Sequence, residues 1–168
     1  MYKYFVVSLL VIIFDQITKI YFDNNFTLYE RFSVIGNFFD FTLAYNTGAA
    51  FSFLADHDGW QRWLFAFISS AVSLGLIIWL FKLKAQQKLL ALSLALILGG
   101  AIGNLIDRLI YGYVIDFILL HLQNKWFYPA FNIADSAICV GAGLLLLDSF
   151  LHPQSNKSTT KEDANSAS

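Results

Sequence analysis

The chain has 168 residues, 57% of them hydrophobic and only 14% charged, with a net charge of −1. That apolar content exceeds the usual range of soluble domains and comes in long blocks, which points to an integral membrane protein. The charge balance excludes a basic footprint for nucleic acid, and the single cysteine, Cys139, excludes an internal disulfide and a multi-cysteine zinc site.

Four apolar stretches, 4–21, 63–81, 89–106 and 133–150, each have about the length a helix needs to cross a hydrocarbon core. The first carries Asp15, Gln16, Thr18 and Lys19, and no small-x-small signature follows it, so it reads as an uncleaved anchor. The short loop between the second and third stretches, KLKAQQK, holds Lys82, Lys84 and Lys88. With Lys3 before the first stretch and Lys157 and Lys161 in the tail, these lysines share one side, which the positive-inside rule makes cytoplasmic. The opposite side carries Arg31, Arg62, Arg108 and Lys125, a smaller number. Residues 1–152 read as a single four-helix domain, and the polar tail 153–168 reads as disordered and cytoplasmic.

Two segments face the other side. In residues 23–61, Phe39, Phe41, Leu43 and Tyr45 alternate with Asp40, Thr42 and Ala44, the period of a strand, after a turn signal at Gly36 and Asn37. A small β element over about 26–56 is therefore expected at the outer membrane surface. The second segment, 108–132, contains Trp126, Phe127 and Tyr128, aromatics suited to the interface, and reads as lying along the membrane or dipping into it. The expected fold class is an integral membrane α-helical protein with four transmembrane helices, a small extracytoplasmic β element and an interfacial outer segment.

This topology gathers polar residues at one mouth. Asn104, Asp107 and Arg108 end the third span; Asn132 and Asp135 begin the fourth. Asp116 lies in the segment between them, Asp15 and Lys19 in the outward half of the first span, and Asn46 opens the block NTGAAFS on the same face. Several have structural readings. Asp15 and Lys19 are spaced for an intrahelical pair with the acid first, and Asp107 beside Arg108 suggests a positioning ion pair. Cys139 reads as a small buried hydrophobe and Asp148 as solvated near the cytoplasmic end. His57, His121 and His152 lack metal-ligand spacing, so no metal site is expected.

Asp116 and Asp135 have no basic residue within four positions. Two carboxylates brought together at low dielectric share a proton, and one can activate water while the other protonates a scissile carbonyl. A structural role, or a proton relay in a small transporter or channel subunit, stands beside that reading on the residues alone. A scaffold role and a Ser-Lys protease built on Lys19 with Ser52 or Ser136 are weaker, since Lys19 is better used by Asp15.

Five blocks then occur in order: DQITK at 15–19, NTGAAFS at 46–52, GNLIDR at 103–108, VIDFI at 114–118 and FNIADSAI at 131–138. In sequence, spacing and chain size this resembles the bacterial lipoprotein signal peptidases, the signal peptidase II family, over nearly the whole length. The resemblance implies an aspartyl endopeptidase of the bacterial inner membrane, with both termini cytoplasmic and its active site at the outer leaflet. Its substrates would be diacylglyceryl-modified prolipoproteins, cut just before the lipid-modified cysteine. Asp116 and Asp135 match the catalytic dyad. Asn46, Gly100, Asn104, Arg108 and Asn132 match positions that line the substrate cleft or hold the substrate backbone, and Asp15, Lys19 and Asp107 match positions of stability. The implied partners are those prolipoproteins and membrane lipids, with no cofactor, metal or nucleic acid, and the enzyme is expected to work as a monomer. The transporter or channel subunit is the alternative. The two outer segments are expected to clamp the peptide from opposite sides.

Overall fold

Long uncharged runs of Leu, Ile, Val and Phe satisfy their backbone within the segment, and in lipid that requires helices. The computed structural model describes residues 2–48 and 60–152 and has four such helices: α1 (Tyr2–Asn25), α2 (Trp60–Lys82), α3 (Lys88–Ile110) and α4 (Ile133–Leu151). Each contains the corresponding expected span, and α1, α2 and α3 run several residues further at the end opposite the KLKAQQK loop. The shortest, α4, has 19 residues, and at ~1.5 Å per residue it is close to the hydrocarbon thickness. Expectations placed on 153–168, on His57 and on 49–52 of the NTGAAFS block lie outside the described residues.

α3 is the central helix and packs on the other three. About 61% of its most apolar window is buried, against 17–22% for the rest, so α1, α2 and α4 present most of their surface to lipid. Glycines bring the backbones close. A Cβ on Gly100 would overlap the Ala134 carbonyl oxygen of α4, and one on Gly103 would lie 2.6 Å from Asp15 Oδ2 of α1. α2 packs chiefly on α3, where Leu76, Leu80 and Leu83 meet Leu90, Ala91, Leu94 and Leu98 near the KLKAQQK end.

At the opposite end sits an antiparallel sheet of order β1-β2-β3-β4, with β1 (Arg31–Ile35), β2 (Phe39–Asn46), β3 (Val114–Leu122) and β4 (Trp126–Phe127). The expected turn at Gly36 and Asn37 joins β1 to β2, with Asn37 at φ 63°. The outer segment 108–132 does more than lie at the interface: it supplies β3 and β4. β2 and β3 are therefore neighbours in one sheet, and these parts of the two outer segments do not oppose each other as a clamp. The sheet rests on α1 through Phe22, whose ring stacks on Phe117 at 4.4 Å and meets Phe41 at 4.9 Å.

The alternation along β2 does not sort apolar from polar as expected. Asp40 and Thr42 are buried, and a bulge between Phe41 and Ala44 resets the register. Arg31 covers Asp40 in a salt bridge, and His121 Nε2 lies 3.2 Å from its other oxygen. Burial works against the charge, but the Arg31 hydrogen bonds and His121 outweigh it and hold the Asp40 carboxyl below the usual carboxylate range.

Candidate active site

Asp116 lies early in β3, 2% exposed, opposite Ala44 of β2 in the sheet register. The chain returns from β4 along β3: Phe131 N donates to Ile118 O at 3.0 Å and Ile118 N to Phe131 O at 2.9 Å. That bridge delivers Asn132 beside Asp116 just as α4 begins.

Asn132 is the N-cap of α4 and forms a capping box with Asp135. Its Oδ1 accepts from Asp135 N at 2.9 Å, while its own N–H donates to Asp135 Oδ2 at 3.3 Å. With Oδ1 so occupied, its NH2 faces the other way and donates to Asp116 Oδ1 at 2.7 Å. One residue thus bonds both carboxylates.

Two further amides are oriented by the same logic. Asn46 Oδ1 accepts from Gly48 N at 3.0 Å, leaving Nδ2 to donate to Asp116 Oδ2 at 3.2 Å. Asn104 Oδ1 accepts from Lys19 Nζ at 2.8 Å, leaving Nδ2 to donate to Asp135 Oδ1 at 2.7 Å. Every amide in the layer offers its donor end to a carboxylate, an arrangement matched to a pair that carries negative charge.

Burial first, and the nearby charge of Asp135 second, push the Asp116 pKa up to about 7, against the lowering effect of its Asn46 and Asn132 hydrogen bonds. Asp116 therefore holds a proton over a large part of the neutral range.

Behind this layer Lys19 bonds Asp15 at 2.8 Å and Asp107 at 2.9 Å, all three nearly inaccessible. Asp15 Oδ1 accepts from Ala134 N at 2.9 Å, and Asp107 Oδ2 from Ile115 N at 3.1 Å. Each acid thus holds the backbone of the residue just before one of the paired aspartates. The expected Asp107–Arg108 pair is replaced by Lys19, because adjacent side chains on a helix point in different directions. Gln16, passed over in the sequence, completes the cluster by donating to Asp107 Oδ1 at 2.9 Å and Gly103 O at 3.2 Å.

In front of it opens a cleft of about 410 Å³, lined by Asn46, Asn104, Arg108 and Asp135 at its polar end. Tyr128, Phe131, Ile138, Cys139 and Ala142 form its apolar walls. Cys139 is exposed there rather than buried, because its face of α4 looks into the cleft and not onto α3. Asn132 is fully buried behind the cleft, and Gly100 lies in the α3–α4 contact, so neither is among the residues lining it. In the sequence Tyr128 reads only as an interfacial aromatic, and Phe131 and Ile138 only as members of the FNIADSAI block, so none of the three is singled out as a cleft wall. Among the described residues no group of three or more His, Cys, Asp or Glu is placed to hold a metal ion.

Comparison with known proteins adds to this geometry. The family model for signal peptidase (SPase) II matches residues 7–151. A lipoprotein signal peptidase of Pseudomonas putida is 60% identical over 143 residues, covering 85% of this chain and 84% of that protein. One of Pseudomonas aeruginosa is 54% identical over 151 residues, covering 90% and 89%. The fold is similar to a solved bacterial membrane enzyme at 29% identity, with a TM-score of 0.81 over 97% of this chain and 96% of that one.

Proposed function

The chain belongs to the signal peptidase II family, and from that premise we propose that it releases signal peptides from diacylglyceryl-modified prolipoproteins through Asp116 and Asp135. It is a multi-pass bacterial membrane peptidase. The family assignment leaves the transporter alternative without support.

The observation that carries the dyad is the set of three asparagine amides turned toward two carboxylates, one of which has a pKa near neutrality. In this reading the pair carries one proton between its two carboxyls. A water between the carboxylates loses a proton to the ionised one as its oxygen bonds the scissile carbonyl carbon. The protonated partner gives its proton to the carbonyl oxygen, forming a gem-diol. Collapse of that intermediate breaks the C–N bond: the protonated carboxyl gives its proton to the leaving nitrogen while the ionised one takes a diol hydroxyl proton, which restores the singly protonated pair. Arg108 and Asn46, at the cleft wall, hold substrate carbonyls, and the apolar wall along α4 receives an apolar part of the substrate.

The lysine asymmetry supports an orientation with the sheet and cleft on the outer side and both termini in the cytoplasm. A scissile bond anchored by acyl chains stays at headgroup level, the depth at which the helices give way to the sheet. The expected assembly is a monomer cutting just before the lipid-modified cysteine. Purified protein in detergent is expected to cut diacylglyceryl-modified prolipoprotein and to leave the unmodified precursor whole. Proton flux in vesicles without cleavage would replace this reading with a relay.

A further inference from the structure

A helix leaves its last carbonyls without intrahelical donors, and at the cleft end of α3 those of Asp107, Arg108 and Leu109 have partners. Asp107 O accepts from Tyr111 N at 2.8 Å and Gly112 N at 3.3 Å. The next two go to one side chain from another helix. Arg62 Nε donates to Arg108 O at 2.7 Å, and its Nη2 donates to Leu109 O at 2.6 Å. Arg62 stands in the first turn of α2, its guanidinium also 5.0 Å from the ring centre of Trp63. Its positive charge faces the negative end of the α3 dipole. Gly112 leaves room for it: its φ is 91°, and a Cβ there would lie 3.3 Å from Arg62 Nη1.

One turn into α2, the ring centre of Phe65 lies 5.5 Å from the Arg108 guanidinium, the other end of the residue whose carbonyl Arg62 holds. That guanidinium lines the cleft, directs Nη1 to Asn104 O at 3.3 Å and Nη2 to Gly48 O at 3.5 Å, and acts electrostatically on Asp135 and Asp116. α2 therefore holds Arg108 by its carbonyl and by its guanidinium.

We infer that the first two turns of α2 are a clamp that positions Arg108, and that Arg62, outside the cleft lining, sets how the cleft's cation meets the substrate. This rests on the reading of the cleft as the peptidase site. A merely structural Arg62 would matter in any background. A clamp matters only while Arg108 has a guanidinium to present.

A double-mutant cycle separates the two. Single-turnover cleavage of diacylglyceryl-modified prolipoprotein, which resolves slow variants, is measured across a range of enzyme concentrations for Arg62→Ala, Arg108→Ala and the double variant. Arg62→Ala alone is expected to weaken the half-saturating concentration about tenfold with little change in the maximal rate, and Arg62→Lys to recover part, since an ammonium lacks the two-pronged fork. In the Arg108→Ala background Arg62→Ala is expected to cost less than about twofold. Equal losses in both backgrounds overturn the clamp. If Arg62→Ala does not fold, Phe65→Leu carries the same cycle with the helix cap intact, and additivity there overturns it equally. A wild type that cuts nothing overturns the peptidase reading and the clamp together; a cutting wild type with additive losses overturns the clamp alone.

Discussion

The Lys19 ammonium donates to Asn104 Oδ1 at 2.8 Å, and this contact decides which end of the amide faces Asp135. An ammonium can only donate, so the Asn104 carbonyl must turn toward it and the NH2 away. Asn132 Nδ2, 3.2 Å from the same oxygen, adds a second donor and the same constraint. Lys19 touches neither member of the proposed dyad. It nonetheless orients the Asn104 amide that bonds Asp135, and through Asp15 and Asp107 it holds the backbone beside both.

Replacing Lys19 by Met removes the cation bonded to the buried carboxylates of Asp15 and Asp107. Breaking a buried pair in this way costs about 3–5 kcal/mol. Thermal unfolding in detergent is expected to show Lys19→Met strongly destabilised. The double variant Lys19→Met with Asp15→Asn should recover part of the loss, because one uncompensated charge goes with it.

Gly100→Ala drives a methyl into the Ala134 carbonyl and pushes α4 away from α3 at the turn that bears Asp135. Overpacking of this kind costs about 1–3 kcal/mol, and cleavage should fall with it as the Asn104–Asp135 hydrogen bond lengthens. Gly75→Ala, with open space around it, is the matched control and should leave cleavage unchanged. Unfolding midpoints and initial rates on the pair check both statements.

With its pKa at about 7, Asp116 gives the protein a defined pH dependence. An unfolded aspartate ionises at about 3.9, so between there and neutrality the native state binds more protons than the unfolded one. Stability from this group is fully present below that window and is lost as pH rises through it to about 7. The unfolding midpoint of wild type should therefore fall across this range more steeply than that of Asp116→Asn. Cleavage should decline on the alkaline side with an apparent pKa near the same value, as the shared proton leaves.

Cys139 is exposed on the cleft wall and is the chain's single cysteine. A bulky thiol reagent is expected to abolish cleavage in wild type. Cys139→Ala should retain activity and resist the reagent, and bound substrate should slow the modification. Mass spectrometry with parallel rates checks all three.

The helices were legible because crossing a membrane demands an uninterrupted apolar length that little else requires. The last turns of α1 and α3 were not, since Phe22 and Ile110 belong to helices that run past the apolar length and meet the sheet end. β3 escaped because VIDFILLHL is buried on both faces at its start, so it shows no period of two. Asp116 and Asp135 stood out by the absence of any basic neighbour, and the turn of chain order placed them at one mouth. Their asparagine partners were named, but which end of each amide faced which oxygen depends on Gly48, Lys19 and the α4 cap, contacts that span up to 85 positions. Arg62 had no signal beyond its charge, because its targets are backbone carbonyls.

Asp116 and Asp135 are proposed to act together as the catalytic pair. The most direct measurement is cleavage of diacylglyceryl-modified prolipoprotein by purified wild type, Asp116→Asn and Asp135→Asn, each shown to be folded by its unfolding midpoint. Wild type is expected to cut before the modified cysteine, and each variant to be slower by roughly a thousandfold, the scale of acid–base catalysis by a positioned group. A folded Asp116→Asn or Asp135→Asn that cuts at near the wild-type rate would contradict it.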